Sequence, residues 1–385
     1  MTAARWAWAD VDLGAVAHNV EVVRRTVEPS AVWAVVKADG YGHGAVPVGR
    51  AALDAGCEGL CVALTAEAVA LRDAGIDAPI LLLSEQPIVD VPAIVAAGLT
   101  PTVYTTGYVD ALAAAQSRRL GVHLKVDTGM RRVGCAPADA PGLAARIAGH
   151  APWLRLAGVS THLAVADDPT RRETDLQLEQ LDATLAELPT GVIDGDVAVH
   201  VANSAGALAH PKARRSFVRS GIALYGVSPG PGVDPLAAEL RPVMSLRARV
   251  SFVKRVPAGA AISYGLRHVF ERDATVATVP LGYADGVPRR LSTIDRAMPV
   301  LIGGRRRPIV GVVTMDQLMV DCGDDHVSAG DEVVLLGRQG DEQIRAEEWA
   351  EALGTIGYEI VCGISRRVPR VVAAPARTSP LWPTR

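Results

Sequence analysis

Short apolar runs alternate with longer alanine-rich segments between residue 31 and residue 219 of the chain. The longer segments carry apolar residues at helical spacing, most clearly in residues 171–188. Strands alternating with helices predict parallel βαβ units, and eight such units fit a TIM-type (β/α)8 barrel better than an open doubly wound sheet. The predicted strands are residues 31–36, 59–64, 78–83, 100–104, 122–127, 156–162, 197–203 and 216–219.

The pattern changes after residue 229. The stretch SPGPGVDP (228–235) predicts a linker, and beyond it strand-like runs are punctuated by turn residues. These runs predict a mainly antiparallel β domain with one helix over residues 346–353. The strand-like runs are residues 243–256, 274–282, 298–303, 308–322 and 331–337. We therefore predict an α/β chain with a barrel over residues 1–235, a β domain over 236–374 and a flexible tail over 375–385.

Composition narrows the class of protein. The chain has 385 residues, 49% of them hydrophobic and 21% charged, and a net charge of −3, which gives no general affinity for nucleic acid or an anionic membrane. The five cysteines are odd in number and lack zinc-finger spacing, as expected of free thiols in a reducing compartment. The N-terminus has no signal-peptide core, and no 18-residue uncharged apolar run occurs. We expect a cytoplasmic protein that needs no metal.

Polar residues of functional type stand at five of the eight predicted strand ends. In a barrel of this kind, catalytic groups collect at the carboxyl ends of the strands, and phosphate often binds at the loops after the last two strands. A helix N-terminus next to Ser204 would suit a phosphate. The strand-end residues are Lys37 with Tyr41, Lys125 with Asp127 and Arg132, His162, Ser204, and Arg219 with Gly221 and Ile222.

Each of these residues also has a plainer explanation. Lys37 could be a solvent-exposed lysine, although its place between a buried Val-Val pair and a glycine-rich turn favours function. His162 could be a core histidine, and Tyr41 a packed turn aromatic. Lys125 and Asp127 could form an ordinary ion pair, and Ser204 could be a helix N-cap. In the β domain, Tyr264, Tyr283 and Tyr358 are flanked by glycine, and each alone is more typical of a turn.

Taken together, the motifs identify a family. AVVKADGYGHG (34–44) resembles the cofactor-lysine signature of the alanine racemases, which use pyridoxal 5'-phosphate (PLP) on a barrel with a C-terminal β domain. The resemblance spans nearly the whole chain in order and spacing. It includes WADVDLGAVAHNV (8–20), KVDTGMRRVG (125–134), THLAVAD (161–167), HVANSAG (200–206), VRSGIALYG (218–226), SYG (263–265), GYADG (282–286), TMDQ (314–317) and GYE (357–359).

The resemblance implies a role for each site residue. Lys37 would form the internal Schiff base with PLP and act as one base, and Tyr264 of the partner subunit in a homodimer would act as the other. Arg219 would bond the pyridine nitrogen with support from His162, and Arg132 and the Met315 N–H would bind the substrate carboxylate. Lys125, as a carbamate, would orient Arg132, and Asp316 would support the same site. The implied phosphate ligands are Tyr41, Ser204, Gly221, Ile222 and Tyr358, and the entry passage is lined by Asp167, Tyr283 and Arg289.

Racemisation explains why two bases are needed, because the α-proton leaves one face of a planar intermediate on a PLP aldimine and another returns to the opposite face. A tyrosine with an ordinary pKa near 10 is a poor base at neutral pH, so we expect a cation, Arg132, to stabilise the Tyr264 phenolate. Arg219 keeps its own proton, which would leave the pyridine nitrogen unprotonated and disfavour transamination.

The leading hypothesis is an alanine racemase that supplies D-alanine for peptidoglycan. The alternatives are a racemase of serine or another small amino acid, a PLP-dependent decarboxylase of related architecture, and a non-catalytic PLP-binding protein. Tyr264 favours racemisation, and the complete β domain argues against a non-catalytic barrel. Two positions depart from the family pattern: Val312 stands where a basic residue is common, and Arg131 where a small residue is usual. Both leave the substrate range open.

Overall fold

The computed structural model describes residues 5–115, 119–191, 196–292 and 298–373, so the predicted tail 375–385 lies outside the described residues. The described residues form two compact units. The first, here called the barrel unit, comprises residues 16–241. The second, the sheet unit, comprises the described parts of residues 1–15 and 242–385.

Eight parallel strands form the barrel unit, as the hydrophobic pattern predicts. They pair in two four-stranded sheets, ordered β4-β3-β2-β9 and β5-β6-β7-β8. A bridge between Leu81 and Thr100 joins β4 to β5, and the Ser216 N–H donates to the Val199 carbonyl at 2.9 Å between β9 and β8, so the ring closes. The strands are β2 (Ala31–Val35), β3 (Gly59–Val62), β4 (Ile80–Leu82), β5 (Thr102–Val103), β6 (Leu120–Lys125), β7 (Leu154–Ser160), β8 (Ala198–His200) and β9 (Phe217–Ser220).

Helices follow most of these strands. The predicted helix over residues 171–188 is present as Glu173–Glu187, and the crossover after β8 is short, as expected, because its helix ends at Ala209. The Asn203 side chain, rather than Ser204, caps that helix by accepting from the Gly206 N–H at 2.9 Å. The helices are Leu13–Val27, Ala45–Asp54, Thr65–Asp73, Val91–Ala96, Thr106–Ala114, Ala140–Gly149, Glu173–Glu187 and Ser204–Ala209.

The sheet unit is built on a large, mainly antiparallel sheet, which confirms the predicted class of the second domain. Its order is β11-β14-β17-β16-β15-β18-β10-β1-β20, with β19 on β18, and β12 and β13 pair separately. The strands are β1 (Ala7–Asp12), β10 (Met244–Arg249), β11 (Phe252–Val256), β12 (Ala261–Ile262), β13 (His268–Val269), β14 (Ala274–Val279), β15 (Pro299–Ile302), β16 (Arg305–Val310), β17 (Leu318–Asp321), β18 (Glu332–Gln339), β19 (Glu342–Ile344) and β20 (Arg370–Ala373).

Two long apolar runs of this unit are interrupted. Residues 243–256 divide into β10 and β11, and residues 308–322 divide into β16 and β17 around a loop that starts at Gly311, where φ is +70°. The predicted helix over residues 346–353 is confirmed as Ala346–Leu353, and a second helix, Gly357–Gly363, was not predicted.

The first strand belongs to the sheet unit. β1 pairs antiparallel with β10, Ala7 opposite Ala248, and parallel with β20. Its side chains alternate between buried and less buried, as expected of a sheet covered on one face, whereas the barrel strands β3 and β4 are buried throughout. The linker-based division at residue 235 does not anticipate this pairing, and the domain boundaries stay a prediction. Among the described residues, no helix is long and apolar enough to cross a membrane.

Candidate functional site

Lys37 follows β2 and begins a turn of unusual handedness. Ala38, Asp39, Gly40 and Tyr41 all have φ between +52° and +61°, so the chain makes one turn of left-handed helix. L-residues disfavour this conformation, because Cβ approaches the next carbonyl oxygen. The turn therefore holds Lys37 at the carboxyl end of its strand in a backbone geometry that its own sequence does not favour.

Tyr41 leaves this turn and lies against the loop after β9. Tyr41 is 8% exposed, and its ring packs on that of Tyr225 with 4.8 Å between ring centroids. A Cβ at Gly221 would lie 2.5 Å from the Tyr41 hydroxyl oxygen, so only glycine fits there. Ser204, also buried, accepts at Oγ from the Gly221 N–H at 2.9 Å and the Ala223 N–H at 3.3 Å. Two hydroxyls and the start of the Ile222 segment thus meet beside Gly221.

Arg219, on β9 beside β2, is held by a dense set of acceptors. Its Nη1 donates to the His200 Nδ1 at 2.7 Å, and its Nη2 to the Thr161 and Val201 carbonyls at 3.0 and 2.9 Å. Nη2 also lies 3.2 Å from His162 Nδ1, which brings the predicted pair together. Burial lowers the pKa of Arg219 to about 10 and, together with the Arg219 charge, lowers the pKa of His162 well below its usual value. Arg219 thus stays cationic at neutral pH beside a neutral His162.

Two buried histidines behind Arg219 were not among the predicted site residues. Because a guanidinium only donates, His200 Nδ1 accepts, and its Nε2–H then donates to His123 Nδ1 at 2.8 Å. The His200 ring stacks on Phe217, with centroids 4.3 Å apart. His123 stands two residues before Lys125 on β6, so the alternation of a strand places both side chains on one face. The two-residue spacing from Lys125 was the signal in the sequence that could have identified His123 as part of the site.

Lys125 and Arg132 border a small cleft, lined also by Met130, Thr161 and His162. Lys125 is 9% exposed, and its Nζ lies 3.5 Å from the Leu83 carbonyl. Burial lowers the pKa of Lys125 to about 8, and the charges of Arg219, Arg132 and Lys37 act in the same direction. This cationic end of the barrel suits anionic groups.

Asp167 lies on the exposed loop after β7, packed against the linker. A Cβ at Gly232 would be 2.3 Å from the Asp167 carbonyl oxygen, and one at Gly230 would be 2.8 Å from the Asp167 Cβ. The glycines of the predicted linker therefore permit a close approach to this loop.

In the sheet unit, Tyr264 stands on a strained, exposed turn. Its side chain is 72% exposed, and Ser263, Gly265 and Leu266 have φ of +67°, +77° and +48°. Ser263 Oγ accepts from the Val312 N–H at 3.1 Å, which pins the turn to the loop after β16. Tyr264 is thus held at a fixed point of the sheet unit while most of its surface is exposed.

The other candidates of the sheet unit gather around the same loop. The Tyr283 and Ala284 N–H groups donate to the Thr314 and Met315 carbonyls, each at 3.0 Å, and a Cβ at Gly282 would lie 2.3 Å from both acceptors. Asp316, next along the chain, pairs with Arg367 at 2.7 Å. The structure thus brings Tyr283, Met315 and Asp316 together.

Arg289 and Tyr358 are attached to this cluster through neighbouring residues. Ser292 Oγ donates to the Arg289 carbonyl at 2.8 Å and accepts from the Val313 N–H at 3.0 Å. Tyr358 lies on the helix Gly357–Gly363, and the Ser365 N–H beyond that helix donates to the Asp285 carbonyl at 3.0 Å. The segments of Tyr264, Tyr283 and Arg289 therefore meet the loop over residues 311–317, and the segment of Tyr358 meets the loop that carries Tyr283.

Both units match known family models. Residues 11–229 match the alanine racemase N-terminal domain, and residues 243–372 match the C-terminal domain. The alanine racemase of Symbiobacterium thermophilum is 50% identical over 368 residues, covering 94% of this chain and 96% of the relative. That of Thermobifida fusca is 45% identical, covering 97% and 99%.

Solved structures agree with these sequence relatives. The alanine racemase of D-cycloserine-producing Streptomyces lavendulae has a TM-score of 0.90 at 41% identity, covering 96% of this chain and 97% of the other. The Bacillus anthracis alanine racemase with bound L-Ala-P has a TM-score of 0.89 at 39% identity, covering 96% of each chain. The fold, the motifs and these relatives together place the chain in the alanine racemase family.

Proposed function

We propose that the protein interconverts L-alanine and D-alanine with PLP and so supplies D-alanine for peptidoglycan. The observation that carries this proposal is the position of Lys37 and Arg219 at the carboxyl ends of adjacent parallel strands, where Arg219 is in register with Trp33 of β2, in the strand that precedes Lys37. An amine and a guanidinium that follow neighbouring strands at different heights suit the two ends of a pyridoxal ring. Membership of the family supplies the reaction.

The residues of the barrel unit fit PLP. Glycine at position 221 lets the Tyr41 hydroxyl approach the backbone closely, and the Ser204 hydroxyl lies at the same place. We assign the phosphate to Tyr41, Ser204, Gly221 and Ile222, with Tyr358 as a further ligand. When bound, PLP attaches the substrate amino group covalently and withdraws electrons from the α-carbon.

Arg219 would direct the remaining Nε–H toward the pyridine nitrogen. Its five bonds to His200, Thr161, His162 and Val201 all use the two terminal nitrogens and so fix the plane of the guanidinium. A pKa of about 10 keeps Arg219 protonated at neutral pH, so it donates a hydrogen bond without giving up its proton. This limits electron withdrawal and favours return of the α-proton over transamination.

Lys37 and Tyr264 would move the proton. One removes it from the α-carbon, and the other donates a proton to the opposite face, with their roles reversed for the reverse reaction. Arg132 and the Met315 N–H would hold the substrate carboxylate, Lys125 and Asp316 would support them, and Asp167, Tyr283 and Arg289 would line the entry. The exposure of Tyr264 supports a homodimer in which Tyr264 of one subunit serves the barrel of the other.

The test is incubation of the protein and PLP with L-alanine in D2O. We expect loss of optical rotation together with deuterium at the α-carbon, and neither in Lys37→Ala. The bound cofactor should absorb at about 420 nm. Borohydride should link it covalently to the wild type but not to Lys37→Ala. Racemisation of serine or another small amino acid, with alanine inert, would overturn the substrate. Release of CO2 without racemisation would overturn the reaction type.

A further inference from the structure

We infer that Glu67, on the helix Thr65–Asp73, is a positioning residue for Lys37. This inference rests on the role proposed above for Lys37. It starts from the left-handed turn, in which Ala38 and Asp39 carry side chains at φ of +52° and +54°. Backbone held in such a conformation persists only where surrounding contacts determine it, and such strain is common at functional sites.

Glu67 supplies one of those contacts from a neighbouring βα unit. Its Oε1 accepts from the Ala38 N–H at 2.6 Å, a short bond of the charge-assisted type. The helix that carries Glu67 follows β3, which is paired with β2. The carboxylate therefore reaches across from one strand end to the next.

The position of this bond lets it determine the backbone conformation of Lys37. The Ala38 N–H belongs to the peptide unit that also contains the Lys37 carbonyl, so holding this N–H fixes ψ of Lys37. The direction of the Lys37 side chain depends on that backbone. In the turn beyond it, the Gly40 N–H donates to the Val36 carbonyl at 2.8 Å and the Ala45 N–H to Asp39 Oδ1 at 3.0 Å. Glu67 thus anchors the first left-handed residue of the turn from a helix outside it.

The other carboxylate oxygen has a different task. Oε2 accepts from the Ala63 and Leu64 N–H groups at 2.9 and 3.1 Å, at the start of the helix that Glu67 itself belongs to. A purely structural role for Glu67 would be this helix capping alone. The experiment therefore has to separate the turn from the helix.

The first measurement is amide hydrogen exchange in the cofactor-free protein. In Glu67→Gln we expect exchange over residues 37–44 to accelerate about tenfold, since a charge-assisted bond becomes a neutral one. The matched control is Asp73→Asn, an exposed acid on the same helix, which should exchange like the wild type. Acceleration confined to residues 63–73, with residues 37–44 unchanged, would overturn the inference in favour of capping alone.

The second measurement uses the PLP-loaded enzyme. Glu67→Gln should lower kcat about tenfold while KM for alanine changes by less than about threefold. The reason is that the substitution displaces Lys37 and leaves the residues that bind the substrate carboxylate in place. Adding Ala38→Gly should recover part of the loss, since glycine tolerates the left-handed turn. No recovery, or an equal change in KM, would contradict positioning through the turn. If the wild type neither binds PLP covalently nor racemises, the proposed function fails, while hydrogen exchange still decides this inference.

Discussion

Left-handed backbone at residues other than glycine is concentrated beside the candidate chemistry. Of the seven such residues in the described part of the chain, only Arg215 is not adjacent to, or within a few positions of, Lys37, Arg132 or Tyr264. Strain of this kind is maintained where surrounding contacts require it. The other six left-handed residues are Ala38, Asp39, Tyr41, Arg131, Ser263 and Leu266.

Arg131, which stands where the family usually has a small residue, provides a test of this strain. Its φ is +58°, and its N–H donates to Asp127 Oδ1 at 2.9 Å, so the turn favours glycine on backbone grounds alone. We expect Arg131→Gly to raise the free energy of unfolding by about 0.5–1 kcal/mol. Urea unfolding measures this. Arg131→Ala, which keeps the Cβ, is the control, and an equal gain in both variants would rule out strain as the cause.

Asp285, in the middle of the GYADG motif, is a buried carboxylate whose importance the sequence did not reveal. Its side chain is fully buried, pairs with both terminal nitrogens of Arg5 at 2.7 Å, and accepts from the Gly282 N–H at 3.1 Å. It therefore holds the loop that carries Tyr283. The cost of losing a partner in a buried pair is far greater than in an exposed one.

We expect Asp285→Asn to destabilise the sheet unit by about 1–3 kcal/mol, because the partly buried Arg5 loses its charged partner and keeps only carbonyl acceptors. The matched control is Asp324→Asn, which breaks an exposed pair with Arg255 and should change stability far less. Thermal and urea unfolding measure both. Similar losses in the two variants would show that burial of Asp285 is not what matters.

At the scale of elements, three strands of the barrel combine to build one buried chain of donors and acceptors. His123 lies on β6, His200 on β8 and Arg219 on β9. Burial lowers the pKa of His123 to about 3 and that of His200 well below its usual value. The strands themselves were predictable from their apolar runs, but the contact between residues 77 apart in sequence depends on closure of the ring.

This chain of histidines predicts a dependence of stability on pH. In the unfolded state, His123 binds a proton below about pH 6.5, whereas in the folded state it stays neutral down to about pH 3. The free energy of unfolding therefore decreases as the pH falls across this window. The slope is about 1.4 kcal/mol per pH unit for one histidine. His123→Gln keeps an acceptor for His200 and should flatten urea-derived stability against pH by that amount. Parallel curves for the two proteins would contradict it.

At the scale of the whole molecule, the candidate residues are divided between two units. Lys37, Arg132 and Arg219 belong to the barrel unit, whereas Tyr264 and Met315 belong to the sheet unit. The proposed reaction needs both sets. Under the proposal, Tyr264, which is 72% exposed, would serve the barrel unit of a second copy of the chain.

Complementation between subunits tests this division. Lys37→Ala and Tyr264→Phe should each be nearly inactive, and a mixture that exchanges subunits should regain up to about a quarter of wild-type activity, since only the mixed dimer holds one intact site. As controls, sedimentation should show both variants to be dimers, and labelled subunits should show exchange. Absence of recovery after demonstrated exchange would mean that Lys37 and Tyr264 act within one chain.

Local pattern determined much of this protein. Apolar runs and helical spacing predicted all eight barrel strands and the class of the second domain. They could do so because a strand or helix that is buried on one or two faces repeats its apolar residues with a characteristic period. The motifs around Lys37, Arg132 and Tyr264 predicted the family. Tertiary structure decided the rest: the place of β1 in the sheet unit, the left-handed turn held by Glu67, and the histidines behind Arg219. These depend on contacts between segments far apart in sequence, which no local period records.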